Sequence, residues 1–490
     1  MAPDPATSVI HCETFIIGAG FSGIGLGIQL KRRGLDDFII AEAEGGVGGT
    51  WWLNRYPGCA CDVQSHLYSL SFAPNPDWTR RFPPRAEIQR HMARSVCDEG
   101  LDSHLRLDTR ICSATWCAEQ AYWVIVDQHG QTYHARLLIS AIGGLSRPLV
   151  PDLPGLQRFE GEVFHSQQWP DGLDLRDKRV AVIGGGASAI QFVPRIAGQA
   201  AQLDLYQRTP QWILPKPDQV IAPWKRRLFR WLPPLRLLRR FSYFLLLESR
   251  LPAFNWSNRL TWLHRRKAMA HLKRQIRDPA LREALTPDYA MGCKRVLMSN
   301  DFYPALDRRD VTVSTGPVGA IRPDGVVDAS GVFRPADVLI LATGFQATRP
   351  VPEGLIFGRD GRDLADAWAK GPSAYKGSSV HGFPNFFTLL GPNTALGHNS
   401  VLLMIEAQIR YVLGAVRSIR GGERTLEVRA ERQQDWNRQL DRTLQRSVWS
   451  QGGCASWYLH PVSGRNTTLW PDFTFRFARQ TSRFDRDAYI

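Results

Sequence analysis

The residues best suited to chemistry begin with a glycine cluster. Gly18-Ala19-Gly20-Phe21-Ser22-Gly23 follows an apolar run at 14–17 and precedes Ile24, Leu26, Ile28 and Leu30. Strand, tight turn and helix form the setting in which GxGxxG binds a dinucleotide. The glycines let backbone N–H groups approach a pyrophosphate, and the helix N-terminus adds about half a positive charge there. The next apolar run, Asp37-Phe38-Ile39-Ile40-Ala41, ends at Glu42. That is about 20 residues on, where a carboxylate accepts hydrogen bonds from ribose hydroxyls. The pattern then recurs. Val180-Ala181-Val182-Ile183 runs into Gly184-Gly185-Gly186-Ala187-Ser188-Ala189 and an apolar helix over 190–196. Ala189 takes the third glycine position, an accepted variant. The following strand, Leu203-Asp204-Leu205-Tyr206, ends in Gln207-Arg208-Thr209 and not in an acid. A carboxylate there would repel a 2′-phosphate, whereas an arginine pairs with it. The first site, with Gly18, Gly20, Gly23 and Glu42, therefore suits FAD. The second, with Gly184, Gly186, Ala187, Ser188, Ala189, Arg208 and Thr209, suits NADPH.

These motifs need parallel sheets to carry them, so the predicted class is α/β with two Rossmann-like dinucleotide-binding domains. Two further strands end in glycine turns, over 137–144 and 337–344, at positions suited to the chain passing between such domains. The expected layout is an FAD domain split between 1–150 and 346–490. An NADPH domain at 160–215 and 292–345 is inserted between them and interrupted by a helical segment at 216–291. Pro233-Pro234 and Pro252 break that segment into several helices.

The chain has 490 residues and a net charge of +15. The excess is local: residues 222–277 hold fifteen lysines and arginines and a single acid, Glu248. The remainder is nearly neutral, which argues against nucleic-acid binding by the whole protein. Leucine, phenylalanine and tryptophan mixed with arginine in this segment suggest a helical cap with a solvated basic face, a peripheral contact with anionic lipid, or a face for an acidic protein partner. No stretch approaches the roughly 20 apolar residues of a membrane span. No basic region precedes an apolar run at the N-terminus, so no signal peptide is expected. The eight cysteines form no CxxC pair and no zinc spacing, which points to reduced thiols and a cytoplasmic setting. The missing CxxC also argues against a disulfide reductase built on two nucleotide sites.

Two longer patterns narrow the chemistry. The first is Gly48-Gly49-Thr50-Trp51, four residues, Tyr56-Pro57-Gly58, three residues, then Asp62. The second is Phe159, Gly161, His165 and Trp169-Pro170. With them the chain resembles the type I Baeyer–Villiger monooxygenases over nearly its whole length. The resemblance implies that NADPH reduces FAD, that O2 then gives a flavin C4a-peroxide, and that this attacks a small hydrophobic ketone to yield an ester or lactone. The alternative is S- or N-oxygenation of a sulfide or amine by the hydroperoxide. The resemblance implies roles for Arg295 as the active-site guanidinium, Asp62 as its partner, and Lys294 as a second contact to the 2′-phosphate. Thr50, Trp51, Asp62, Tyr68 and Ile111 become further FAD contacts. Ser456-Trp457-Tyr458 and Trp470-Pro471 look like a C-terminal closing segment. His165 and Trp169 are expected to order the domains around NADP and not to act in acid–base chemistry.

Overall fold

A computed structural model describes residues 8–490. Two sheets carry the molecule. The first has eight strands, in the order Ile356–Phe357, Ile111–Cys117, Tyr122–Asp127, Thr132–Ser140, Ile10–Ile17, Phe38–Ala41 and Leu105–Arg106, with Phe386–Thr388 on Thr132–Ser140. Its centre is parallel: Ile10–Ile17 lies between Phe38–Ala41 and Thr132–Ser140. The strands at 111–140 form an antiparallel meander. The second sheet has five parallel strands, ordered Val311–Ser314, Gln202–Tyr206, Arg179–Ile183, Val338–Leu341 and Glu162–His165. Phe38–Ala41 and Val338–Leu341 are buried along their whole length, as expected where helices cover both faces of a parallel sheet. Ile10–Ile17 begins four residues before the apolar run, with His11 and Glu13 at its more open end.

The first sheet thus takes strands from both ends of the chain, and the second takes only strands between 162 and 341. Both glycine clusters sit where a central strand turns into a helix. Gly18 and Gly184 hold φ of +107° and +110°, a conformation other residues resist. At Gly23 a side chain would meet the Gly18 carbonyl oxygen at 1.9 Å, so glycine there lets the helix Phe21–Lys31 close onto its own turn. The helix Val401–Arg420, mostly buried, packs across Phe21–Lys31.

The basic segment runs between Ile213–Leu214 and Leu297–Met298, which pair as a separate two-stranded parallel sheet. Between them lie helices Pro223–Trp231, Pro233–Glu248, Leu251–Asn255, Trp262–Gln275 and Pro279–Ala284. Proline opens four of these helices at the first or second position, where its missing N–H costs nothing. Tyr243, Leu247, Leu251 and Leu272 anchor the segment in the core. Half-buried Arg240 pairs with Glu406 at 3.0 Å. Among the described residues, no helix is long and apolar enough to cross a membrane.

Candidate active site

The carboxyl ends of the two parallel sheets face one cavity of about 1730 Å³. Single small-molecule sites span roughly 300–1,000 Å³, so this one has room for more than one ligand. Ile17, Ala41, Ile183, Tyr206 and Ala342, at or beside strand ends, open into it. This is where open α/β sheets bind ligands.

Of the first glycine turn, Gly18 and Gly20 line the cavity. Glu42 lines it too, and its carboxylate accepts hydrogen bonds from the backbone N–H groups of Ala19 at 2.7 Å and Glu44 at 3.1 Å. The acid therefore braces the turn it follows. Thr50 and Trp51 open the short helix Thr50–Leu53 on the same wall, and the Trp51 indole donates to the Tyr68 hydroxyl at 3.0 Å. Ile111 lines the cavity from the start of its strand. Of the second turn, Gly184, Gly186, Ala187 and Ser188 line it, with Arg208 and Thr209 beyond. Two of the expected contacts, Gly23 and Ala189, do not reach the cavity. Gly23 is the third residue of its helix and Ala189 the first of its own, and both are buried, where a small residue serves packing and not ligand approach.

Arg208 is exposed and forms no ion pair among the described residues. Lys294 stands close enough that burial, together with the Arg208 cation, lowers its pKa. Two cations held side by side on a cavity wall make a donor set for a phosphate. No such pair stands at the end of the first motif, where Glu42 lies instead. The residues present therefore fit a phosphate-bearing dinucleotide at the second turn and a ribose at the first.

Asp62 and Arg295 line the same cavity as the two turns. Arg295 donates from Nε to Asp62 Oδ2 at 2.6 Å and from Nη2 to Oδ1 at 2.7 Å. This is the bidentate fork that fixes a guanidinium in one plane. Both side chains lie deep in the molecule yet keep 32% of their surface open to the cavity. Burial alone would raise the Asp62 carboxyl, but Arg295, helped by Lys216, holds it below its ordinary range. Asp62 in turn raises Arg295, which stays charged. Tyr458 reaches the same region, and burial pushes its hydroxyl up to about 12 although Arg295 draws it down.

The first longer pattern joins the halves, and the second packs within the half built on the second sheet. Gln191, on the helix Ala189–Ile196, donates to the Ala60 carbonyl at 2.9 Å and accepts from the Tyr56 hydroxyl at 3.2 Å. Trp169 packs 5.2 Å from Phe192 of that helix and lines the cavity. His165 ends the strand Glu162–His165, is buried, and does not line the cavity.

Sequence reasoning missed two features. The charge of Lys216, at the start of the basic segment, adds to the field that holds the Asp62 carboxyl down, and no motif marks it. The reduced-thiol expectation is also corrected, because Cys293 and Cys454 form a disulfide across 161 residues. It ties the segment before Lys294 to the loop before Ser456, Trp457 and Tyr458, all of which line the cavity. Their partnership comes from the three-dimensional approach of two loops, which spacing does not encode. The other six cysteines are free.

The model of the flavin-binding monooxygenase-like family matches residues 15–356. A Baeyer–Villiger monooxygenase of Pseudomonas aeruginosa is 52% identical over 488 residues, covering 99% of this chain and 92% of its own. This chain belongs to the Baeyer–Villiger monooxygenases. A second Baeyer–Villiger monooxygenase, from Streptomyces coelicolor, is 44% identical over 482 residues, covering 98% of this chain and 92% of its own. The solved structure of OTEMO in complex with FAD and NADP superposes with a TM-score of 0.86 at 27% identity, covering 98% of this chain and 97% of that one. The resemblance drawn from the two fingerprints is borne out. As in any Baeyer–Villiger monooxygenase, the reaction joins nucleotide redox chemistry to oxygen insertion, and the cavity places two nucleotide turns around one fixed arginine.

Proposed function

We propose that this Baeyer–Villiger monooxygenase binds FAD at the Gly18–Gly20 turn and NADPH at the Gly184–Ser188 turn. It inserts one atom of O2 beside the carbonyl of a small hydrophobic ketone. The balance is ketone, O2, NADPH and a proton giving ester or lactone, NADP+ and water. The bound flavin supplies hydride acceptance and oxygen activation. The protein's part is position and charge. Arg208 and Lys294 hold the 2′-phosphate, Glu42 the FAD ribose, and Thr50, Trp51, Tyr68 and Ile111 the rest of the flavin nucleotide. Arg295 keeps its charge at any working pH. Two of its N–H donors are committed to Asp62, and the others remain for negative charge developing on oxygen. Asp62 sets the plane of that guanidinium. The basic segment 222–277 is read as a peripheral membrane contact and not as a nucleic-acid site.

The observation that carries this reading is the Asp62–Arg295 fork in the cavity between the two turns. The test is NADPH oxidation in labelled O2 with panels of ketones and sulfides, followed by mass spectrometry. Esters or lactones carrying one labelled oxygen are expected. Sulfoxides alone would replace ketone insertion by heteroatom oxygenation, and protein that cannot be loaded with FAD would overturn the reading.

A further inference from the structure

The helices between Pro223 and Gln275 carry apolar side chains on two opposite sides. One side is the core anchor already described. The other faces outward and is covered by nothing among the described residues. More than half of the large apolar side chains that stand exposed among the described residues fall between positions 220 and 263. On the helix Pro233–Glu248, Leu235, Leu238, Phe241 and Leu245 recur at three- and four-residue spacing along the exposed side. That is the periodicity of an apolar stripe meant for burial. Trp231 at 79% and Trp256 at 72% exposure stand on the neighbouring turns. Tryptophan at this exposure wastes its apolar body unless a second phase meets it.

The charge around this stripe is of one sign. Glu248 is the only acid between 222 and 277, and it is buried against His398 and Thr474. Arg230, Arg240 and Arg277 are spent on Asp77, Glu406 and Asp307. Lys225, Arg227, Arg239, Arg265 and Arg266 form no ion pair among the described residues, and all are exposed.

From this combination we infer that the outer face of helices Pro223–Trp231, Pro233–Glu248 and Trp262–Gln275 is a docking surface for an anionic lipid bilayer. The inference rests on the peripheral-contact reading above and adds to it the face, the depth-seeking side chains and the sign of the headgroup. Leucine, phenylalanine and tryptophan enter the acyl boundary while the arginines lie at the phosphates. Charge decides against a second copy of this chain, since the same basic face would be set against itself. A nucleic acid would meet the arginines but leave the leucine stripe in water.

The test uses the FAD-loaded full chain and flotation with vesicles of neutral phosphatidylcholine, alone or with anionic phosphatidylglycerol. Flotation is scored on protein, so it is independent of turnover. Protein is expected to float with the anionic vesicles, and to be released as salt shortens the reach of the charges. A triple variant, Trp231→Ser with Leu238→Ser and Leu245→Ser, is expected to lose at least about tenfold in partitioning, as the loss of three buried apolar groups requires. Its NADPH oxidation with a water-soluble ketone is expected to be unchanged. Arg265→Glu with Arg266→Glu, which leaves the apolar stripe intact, is expected to lose binding to the anionic vesicles only. Protein remaining at the bottom with both vesicle types would overturn the inference. So would equal binding to neutral and anionic vesicles, a dimer that the serine variant dissolves, or retention on nucleic acid that the glutamate variant abolishes without any flotation.

Discussion

Replacing Arg295 with alanine tests the central arrangement. The substitution removes both donors from Asp62, at 2.6 and 2.7 Å, and opens the cavity wall at the point facing both nucleotide turns. A preorganised donor aimed at developing negative charge contributes about 10²–10³ in kcat, or about 3–4 kcal/mol. The pair keeps 32% of its surface open, which places the arginine at the lower end of that range. Asp62 changes as well. Burial pushes its carboxyl up and Arg295 is the main group holding it down, so in the variant its pKa rises. In the wild type a lowered carboxylate pKa contributes stability above the ordinary carboxylate range, and that contribution is lost as pH falls through the folded value. In the variant this acid-sensitive contribution disappears. The assay separates two half-reactions by stopped flow. Anaerobic reduction of FAD by NADPH is expected to survive, while the yield of oxygenated product per NADPH falls by about 10². Arg295→Lys keeps the charge but not the fork, and is expected to recover only part of the yield. A normal product yield from Arg295→Ala would refute the reasoning, because charge on oxygen would then be stabilised elsewhere.

Arg208→Ala is expected to raise the KM for NADPH by about 10- to 100-fold, the worth of about 1.5–3 kcal/mol for hydrogen bonds to a charged group, with little change for NADH. Equal losses with both nucleotides in steady-state kinetics would remove Arg208 from the phosphate site. Asp337 is held down to about 2 by hydrogen bonds from Arg179, so its contribution is present above the ordinary carboxylate range and fades as pH falls toward 2. Asp337→Asn is therefore expected to lower stability at neutral pH, by about 1 kcal/mol or less given the partial exposure of the pair, with the gap closing in acid. Urea denaturation at several pH values reads this, and a gap that widens in acid contradicts it. The disulfide closes a span of 161 residues, for which chain entropy gives about 4–5 kcal/mol. Cys454→Ser is expected to lower the Tm, and alkylation with mass spectrometry should count six free thiols before reduction and eight after. An unchanged thiol count would refute the bridge.

The parts legible in the sequence are those whose physics is local. A strand, a positive-φ glycine and a helix N-terminus lie within about ten residues of each other, and turn chemistry alone identifies Gly18 and Gly184. The replacement of the acid at the end of one motif by Arg208 was legible for the same reason. Spacing could not say which way a small residue faces. Gly23 satisfies the pattern but turns toward the Gly18 carbonyl, and Ala189 sits inside its helix. The ragged start of Ile10–Ile17 was hidden because His11 and Glu13 occupy the open end of an otherwise buried strand.

What stayed hidden was contact between distant segments. Asp62 and Arg295 are 233 positions apart, and their pairing followed only from resemblance to a family. Cys293 and Cys454 had no such guide. Neither did Lys216, whose charge acts on Asp62 from just beyond Ile213–Leu214, the strand that pairs with Leu297–Met298 two residues after Arg295. The same geometry explains why the working residues cluster there. The carboxyl ends of the parallel strands of both sheets open into one cavity, and both glycine turns that follow such strands line it. Residues that bind through their own turn are written locally. The Asp62–Arg295 pair, set in the space between the sheets, depends on the two sheets being held together, and Gln191, bonded to Ala60 and Tyr56, is one side chain that does so.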